Sequence, residues 1–125
     1  MTRHMLTIYG RLDALNDYIG ANRTNRQAGA KMKRENEAMV TGYIWQQLKN
    51  EIIEKPVYIT FVWYEPNKRR DPDNISSFGR KIILDALVAA GVLQNDGWKQ
   101  IAGFRDIFNV DKARPRVVVI MEEID

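Results

Sequence analysis

At 125 residues, 45% of them hydrophobic, and with a formal net charge of only +3, the chain is sized for one domain with a genuine core rather than for disorder. The absence of cysteine excludes disulfides and thiolate metal centres, and a single histidine, His4, excludes histidine-built zinc or acid–base centres. No apolar run approaches the ~18 residues of a membrane span, and Met1-Thr2-Arg3-His4-Met5 leads into too short an apolar run for a signal peptide, so a soluble cytoplasmic protein with no membrane partner is expected.

Met5 to Gly10 reads as a first short strand. Leu12, Leu15 and Ile19 suggest one or two helical turns that Gly20 stops. Residues 21 to 34 lack a sustained apolar period and carry Arg23, Arg26, Lys31, Lys33 and Arg34, which reads as a basic loop ordered on binding, or as the frayed beginning of the next helix. Residues 35 to 54 form a helix with an apolar stripe of Ala38, Thr41, Trp45, Leu48 and Ile52, closed by Pro56. Val57 to Tyr64 is the clearest strand; Val57, Ile59, Phe61 and Trp63 share one face, and both faces are apolar enough for a central position. A second helix over 75 to 90 places Ile75, Gly79, Ile82, Ile83, Ala86, Leu87 and Ala90 on the core side, with Gly91 as its left-handed terminator. Leu84 and Val88 lie outside that face and hint at a subunit contact. Strands follow near 102 to 109 and 116 to 121, and the tail 122 to 125 reads as solvated. The order β, α, β, α, β, β gives a single α+β domain over 1 to 125, a mixed sheet against helices.

The chemistry concentrates between Arg69 and Asp96. Lys68, Arg69 and Arg70 run directly into Asp71-Pro72-Asp73-Asn74, so cations suited to phosphates stand beside acids suited to a metal. Pro72 biases Asp71 toward extended angles, and in an extended Asp-Pro-Asp the carboxylates of Asp71 and Asp73 point to one side. Asp73 or Asn74 can also cap the following helix. Hard oxygen ligands of this kind suit Mg²⁺ or Mn²⁺. Asp96, beyond the helix, is a third candidate. A helix of this length puts its ends roughly 23 Å apart, so Asp96 reaches the others only if the turn doubles back, the helix is shorter, or a partner subunit supplies the acid. An EF-hand fails at Ile75, Ser76 and Ile82, Ser76 and Ser77 lack a histidine partner, and no glycine-rich phosphate loop exists.

Arg70-Asp71-Pro72-Asp73-Asn74, Lys81 to Leu87 and Ala90 to Asp96 together resemble the RusA family of Holliday junction resolvases, strongly over 57 to 101 and more weakly elsewhere. The resemblance implies a small, homodimeric, Mg²⁺-dependent endodeoxyribonuclease acting on four-way junction DNA in recombination and repair. By position, Asp71, Asp73 and Asp96 match the three catalytic, metal-holding aspartates, Lys81 the functional lysine, and Asn74 and Asp85 recurrent supporting positions. The stretch between Asp73 and Lys81 is longer than in some members, which leaves Arg80 as an alternative to Lys81. Arg23, Arg26, Lys31, Lys33, Arg34, Lys68, Arg69 and Arg70 would then grip the DNA backbone. Two readings compete: a non-catalytic branched-DNA-binding protein whose acids only order a loop, and a metal-dependent nuclease for duplex or flap DNA.

Overall fold

The alternation of Val57 to Glu65 places Val57, Ile59, Phe61 and Trp63 on one face, and all four are buried, so this strand organises the domain. The computed structural model describes residues 2–125. Its elements are β1 (Arg3–Tyr9), α1 (Leu15–Thr24), α2 (Arg26–Gln47), β2 (Val57–Glu65), α3 (Pro72–Ala89), β3 (Ile101–Val110) and β4 (Arg116–Glu123). The strands form one mixed sheet in the order β1-β4-β2-β3, antiparallel except for the parallel pair β2–β3. β2 is central, as its two-sided apolar character predicts.

The helix-facing row of the sheet adds Leu6 and Ile8 from β1 and Val117, Val119 and Met121 from β4. Val40 and Ile44 of α2 and Ile75, Phe78, Ile82, Ile83, Ala86 and Leu87 of α3 close the core from above. The core face expected for α3 is borne out, and Gly91 follows it with φ +81°, a conformation that costs glycine little. Leu84 and Val88 pack against this same core.

Two regions differ from expectation. Residues 21 to 34 are helical: α1 runs through Gly20 to Thr24, and the break falls at Asn25, whose extended backbone (φ −171°) separates two helices. The Asn25 side chain accepts a 2.7 Å bond from the Ala28 amide and so starts α2. In α2 the buried positions are Gly29, Asn36, Val40 and Ile44, while Trp45 is 55% exposed; Ile52, 70% exposed, lies beyond the helix, which ends at Gln47 rather than 54. Of the expected stripe, Leu48 is buried in the core, whereas Trp45 and Ile52 face away from it. A polar residue, Asn36, occupies the true stripe, held by Asp13 and the Met32 carbonyl, and an apolar-period reading passes over it. At the other end of the chain, Glu122 and Glu123 still belong to β4, so the expected solvated tail is shorter. Among the described residues no helix is long and apolar enough to cross a membrane.

Contact between α3 and β2 is tightest at Gly79. A Cβ there would sit 2.8 Å from Trp63 Cη2 and 2.9 Å from Cζ3, inside van der Waals contact with a rigid ring. The same indole donates a 2.9 Å hydrogen bond to Asp106 Oδ1 on β3, and Arg80 Nη1 donates to the other Asp106 oxygen at 2.6 Å. Helix, central strand and edge strand are thus joined at one point. Gly79→Ala should lower stability by about 1–3 kcal/mol through overpacking. Gly42→Ala, where a Cβ meets nothing within 4 Å, should raise it by roughly 0.5–1 kcal/mol through helix propensity. Urea midpoints at equal slope would show the opposite signs.

At the far end of the sheet His4 lies between two carboxylates, Nδ1 at 2.8 Å from Glu51 and Nε2 at 2.7 Å from Glu123. Burial lowers its pKa, but the hydrogen bonds and charges of Glu123 and Glu51 outweigh burial and hold it above the ordinary 6.5. The folded state thus binds this proton more tightly than the unfolded chain does. The stabilisation is full below about pH 6.5 and is lost as pH rises through the folded value. The stability difference between wild type and His4→Gln should therefore shrink as pH is raised; a difference that grows would reverse the assignment.

Candidate nucleic-acid and metal site

The parallel pair β2–β3 ends on the same side of the sheet, and α3 begins there. The ends of α/β strands at a helix N-terminus are common ligand positions. A cleft of about 510 Å³ lies at this end, lined by Glu65, Lys68, Arg70, Asp71, Ile75, Phe108 and neighbouring residues. Asp71 is the N-cap of α3 with extended angles (φ −70°, ψ 149°), as Pro72 requires, and its side chain makes no capping bond. Pro72 is already helical, so Asp73 stands in the first turn rather than in an extended Asp-Pro-Asp. Among the described residues neither carboxylate has an ion pair or hydrogen-bond donor, and both are exposed. Asn74 is turned away, its Oδ1 accepting 2.8 Å from the Asn16 amide, which ties α3 to α1.

The stretch leading into Asp71 is fixed by a buried acid. Glu65, 6% exposed, accepts two bonds from Arg70 (Nε to Oε1 3.0 Å, Nη2 to Oε2 3.1 Å) and one from Arg11 Nη2 at 2.8 Å. Arg70 Nη1 donates to the Leu12 carbonyl at 3.1 Å. This bidentate geometry is the strong form of a guanidinium–carboxylate pair. Arg70, expected on DNA, therefore has its donors committed inside the protein, immediately before Asp71. Lys68 and Arg69 remain exposed and unpaired among the described residues.

Lys81, Asp85 and Asp96 come together elsewhere. Lys81 Nζ lies 3.0 Å from Asp85 Oδ1 and 3.9 Å from Asp96 Oδ2, and Lys33 of α2 reaches the other Asp85 oxygen at 3.9 Å. The bond to Asp85, its charge, and to a lesser degree Asp96 hold the Lys81 pKa above 10.5. Lys81 is consequently a fixed cation, suited to charge stabilisation and not to proton abstraction. Arg80, the alternative, is bound to Asp106 and stacked over Phe104 at 4.5 Å, so Lys81 is the more available of the two.

The turn after α3 does double back. Leu93 is buried and the Ile53 amide donates to the Val92 carbonyl at 2.8 Å. It brings Asp96 level with Lys81, still eight residues, or about 12 Å of helix rise, short of Asp73. Asp96 lines a separate hollow with Trp98, Ile101 and Phe104 at the start of β3, whereas the Asp71 cleft includes Phe108 and Val110 at its end. Among the described residues no three of the acidic and histidine side chains group closely enough to hold a metal ion. Asp71 and Asp73 are free oxygen donors at one helix end, a partial fit to Mg²⁺, which is commonly held by one or two carboxylates plus substrate phosphate.

Of the basic stretch, Arg23, Arg26 and Arg34 are exposed on α1 and α2, while Lys31 pairs with Glu35 at 3.8 Å and Lys33 with Asp85. Sequence reasoning passed over Glu65, Arg11 and Asp106; an acid closing an apolar strand was the only signal for Glu65. No family model matches the chain, and no curated protein matches it. Glu65→Ala should cost on the order of 3 kcal/mol, because it leaves two guanidiniums facing each other without their anion. A urea titration checks this, and an unchanged midpoint would mean the clamp is incidental.

Proposed function

We propose that the chain is a Mg²⁺-dependent endodeoxyribonuclease that cuts branched DNA, the four-way junction being its preferred substrate, and that it acts as a homodimer. The observation that carries this reading is the pair Asp71 and Asp73, two unpaired carboxylates at a helix N-terminus flanked by the free cations Lys68 and Arg69. That combination suits a hydrated divalent ion bridging protein and phosphodiester. When bound, the ion supplies a more acidic water and Lewis-acid stabilisation of the departing oxygen. Asp71 and Asp73 would supply its oxygen ligands, the Glu65–Arg70 clamp fixes the backbone that carries Asp71, and Lys81 of the partner subunit would offer positive charge to the phosphate.

Asp96 enters, on this reading, from the partner subunit. β3 is an edge strand with one side unpaired, and it exposes Phe104, Ile107, Phe108 and Val110 beside a fully exposed Trp98. Antiparallel pairing of two β3 strands about a two-fold axis covers that edge. It also lays the start of one β3, with its Asp96 and Lys81, alongside the end of the other, with its Asp71 and Asp73. Two identical sites follow, matching two symmetric cuts.

A subunit-mixing experiment tests the whole scheme. Asp71→Asn and Asp96→Asn homodimers should each bind a labelled four-way junction in Mg²⁺ without cutting it. Unfolded and refolded together at equal amounts, they should regain nicking at about a quarter of the wild-type number of sites, since half the dimers carry one intact shared site. Sites built within one chain would stay inactive in the mixture. Wild-type protein that binds junctions but never cuts would favour the non-catalytic branched-DNA reading, which the lack of a three-acid group among the described residues of one chain also favours. Equal cutting of duplex and flap substrates would replace junction preference by general nuclease action.

A further inference from the structure

The connection from β3 to β4 crosses the end of β2 at the Asp71 side of the sheet, and Asp111 builds it. The Asp111 amide donates to the Glu65 carbonyl at 2.8 Å. Asp111 Oδ1 accepts from the Arg114 amide at 3.1 Å, and Oδ2 accepts from Arg116 Nη1 at 2.8 Å. Arg116 also donates to the Arg114 carbonyl at 2.9 Å and stacks on Tyr64 at 3.8 Å, while the Pro115 carbonyl accepts from the Gly10 amide at 2.9 Å. A five-residue link held at this many points is a preorganised platform. Its outward side chains are Lys112 and Arg114, both exposed and neither paired with an acid among the described residues; Arg114 rests on the Tyr9 ring at 5.4 Å.

Charge is distributed unevenly between the two ends of the sheet. Residues 9–11, 64–73 and 109–116 carry the cations Arg11, Lys68, Arg69, Arg70, Lys112, Arg114 and Arg116 against the acids Glu65, Asp71, Asp73 and Asp111. That is a surplus of three, the whole of the chain's net +3, so everything else sums to zero. Glu65 and Asp111 are neutralised internally, which leaves Lys68, Arg69, Lys112 and Arg114 as outward charge from two separate loops beside Asp71 and Asp73. The link offers only Ala113 between its cations, with no large apolar side chain to enter a bilayer.

We infer that the Asp111-built link, through Lys112 and Arg114, is a backbone clamp for duplex DNA, working with Lys68 and Arg69 to lay a phosphate strand across the Asp71–Asp73 end. The choice of DNA as partner rests on the nuclease reading; the location of the clamp rests on the charge asymmetry. Contacts of this kind carry no sequence information, and each adds to the salt dependence of binding.

The test is fluorescence anisotropy with labelled duplex and four-way junction DNA in EDTA, over a range of salt. Lys112→Gln/Arg114→Gln should weaken both roughly ten- to fifty-fold at about 0.1 M salt and flatten the slope of log K against log salt by about 1.8, two contacts at 0.9 each. Lys112→Arg/Arg114→Lys should restore affinity. Arg3→Gln/Lys49→Gln, which removes equal charge from the opposite end of the sheet and away from β3, should change little. Circular dichroism melts confirm that each variant is folded. If the neutralised double variant keeps wild-type affinity and slope while wild-type protein cuts junctions, the clamp is overturned and the nuclease reading stands. If binding falls as expected but wild-type protein never cuts, the clamp stands and the nuclease reading fails. Wild-type protein that ignores DNA, whether or not it binds phosphatidylserine vesicles, overturns the clamp.

Discussion

The contact of Trp63 with Gly79 fixes everything that follows in this molecule. An α-helix can lie this close to a strand only where it has no side chain, and Gly79 is the place where α3 has none. The indole beneath it is then held by Asp106, and Asp106 by Arg80, so rotation or sliding of α3 would break its close contact with the indole and the Arg80–Asp106 bond together. With the helix axis set, the positions of its two functional ends are no longer independent. Asp71 and Asp73 must emerge at the carboxyl ends of β2 and β3, and Asp85 and the return turn with Asp96 must stand well down the helix.

That rigidity explains why local chemistry alone does not complete the site. Asp96 does fold back, but it arrives beside Lys81 and Asp85, its carboxylate 3.9 Å from the Lys81 ammonium. Closing the remaining distance within one chain would require α3 to lose turns whose apolar side chains form the core. Burying side chains such as Ile75 and Phe78 is worth about 1.5–3 kcal/mol each, so the helix is not free to yield. In the proposed dimer a second copy would supply the missing translation without deforming either subunit.

Much of this was legible in the sequence, and the exceptions have physical causes. β2 declared itself by alternating β-branched and aromatic residues, and α3 by its period and by Gly91. Pro72 fixed the angles of Asp71. The α1–α2 hairpin was not legible, because its break is an asparagine with extended angles rather than the glycine at 20, and because the buried position at Asn36 is polar. Trp45 was misplaced for a related reason: an apolar stripe read over 35 to 54 mixes the end of a helix with the residues beyond it, and Ile52 lies outside α2. The clamp at Glu65 left only one weak trace, an acid closing an apolar strand, and its partners left none. Nothing in a linear pattern distinguishes a buried acid with two arginines from a solvated acid at a strand end.

The same pairing logic changes how the basic residues should be counted. A run such as Lys68-Arg69-Arg70 invites equal treatment, yet Arg70 is an internal strut while its two neighbours face water. Across the sheet end the division repeats: Arg116 holds the link to Asp111, and Lys112 and Arg114 project from it. In each loop one arginine is committed to a carboxylate and stiffens the backbone that presents its neighbours. A surface organised in this way presents charge from a fixed frame, so phosphates that meet it do so with less conformational entropy to lose than on mobile side-chain loops. The Glu65 carboxylate holds Arg70 and the Glu65 backbone carbonyl holds the Asp111 amide, so the two basic loops and the helix end that carries Asp71 are tied to one buried residue.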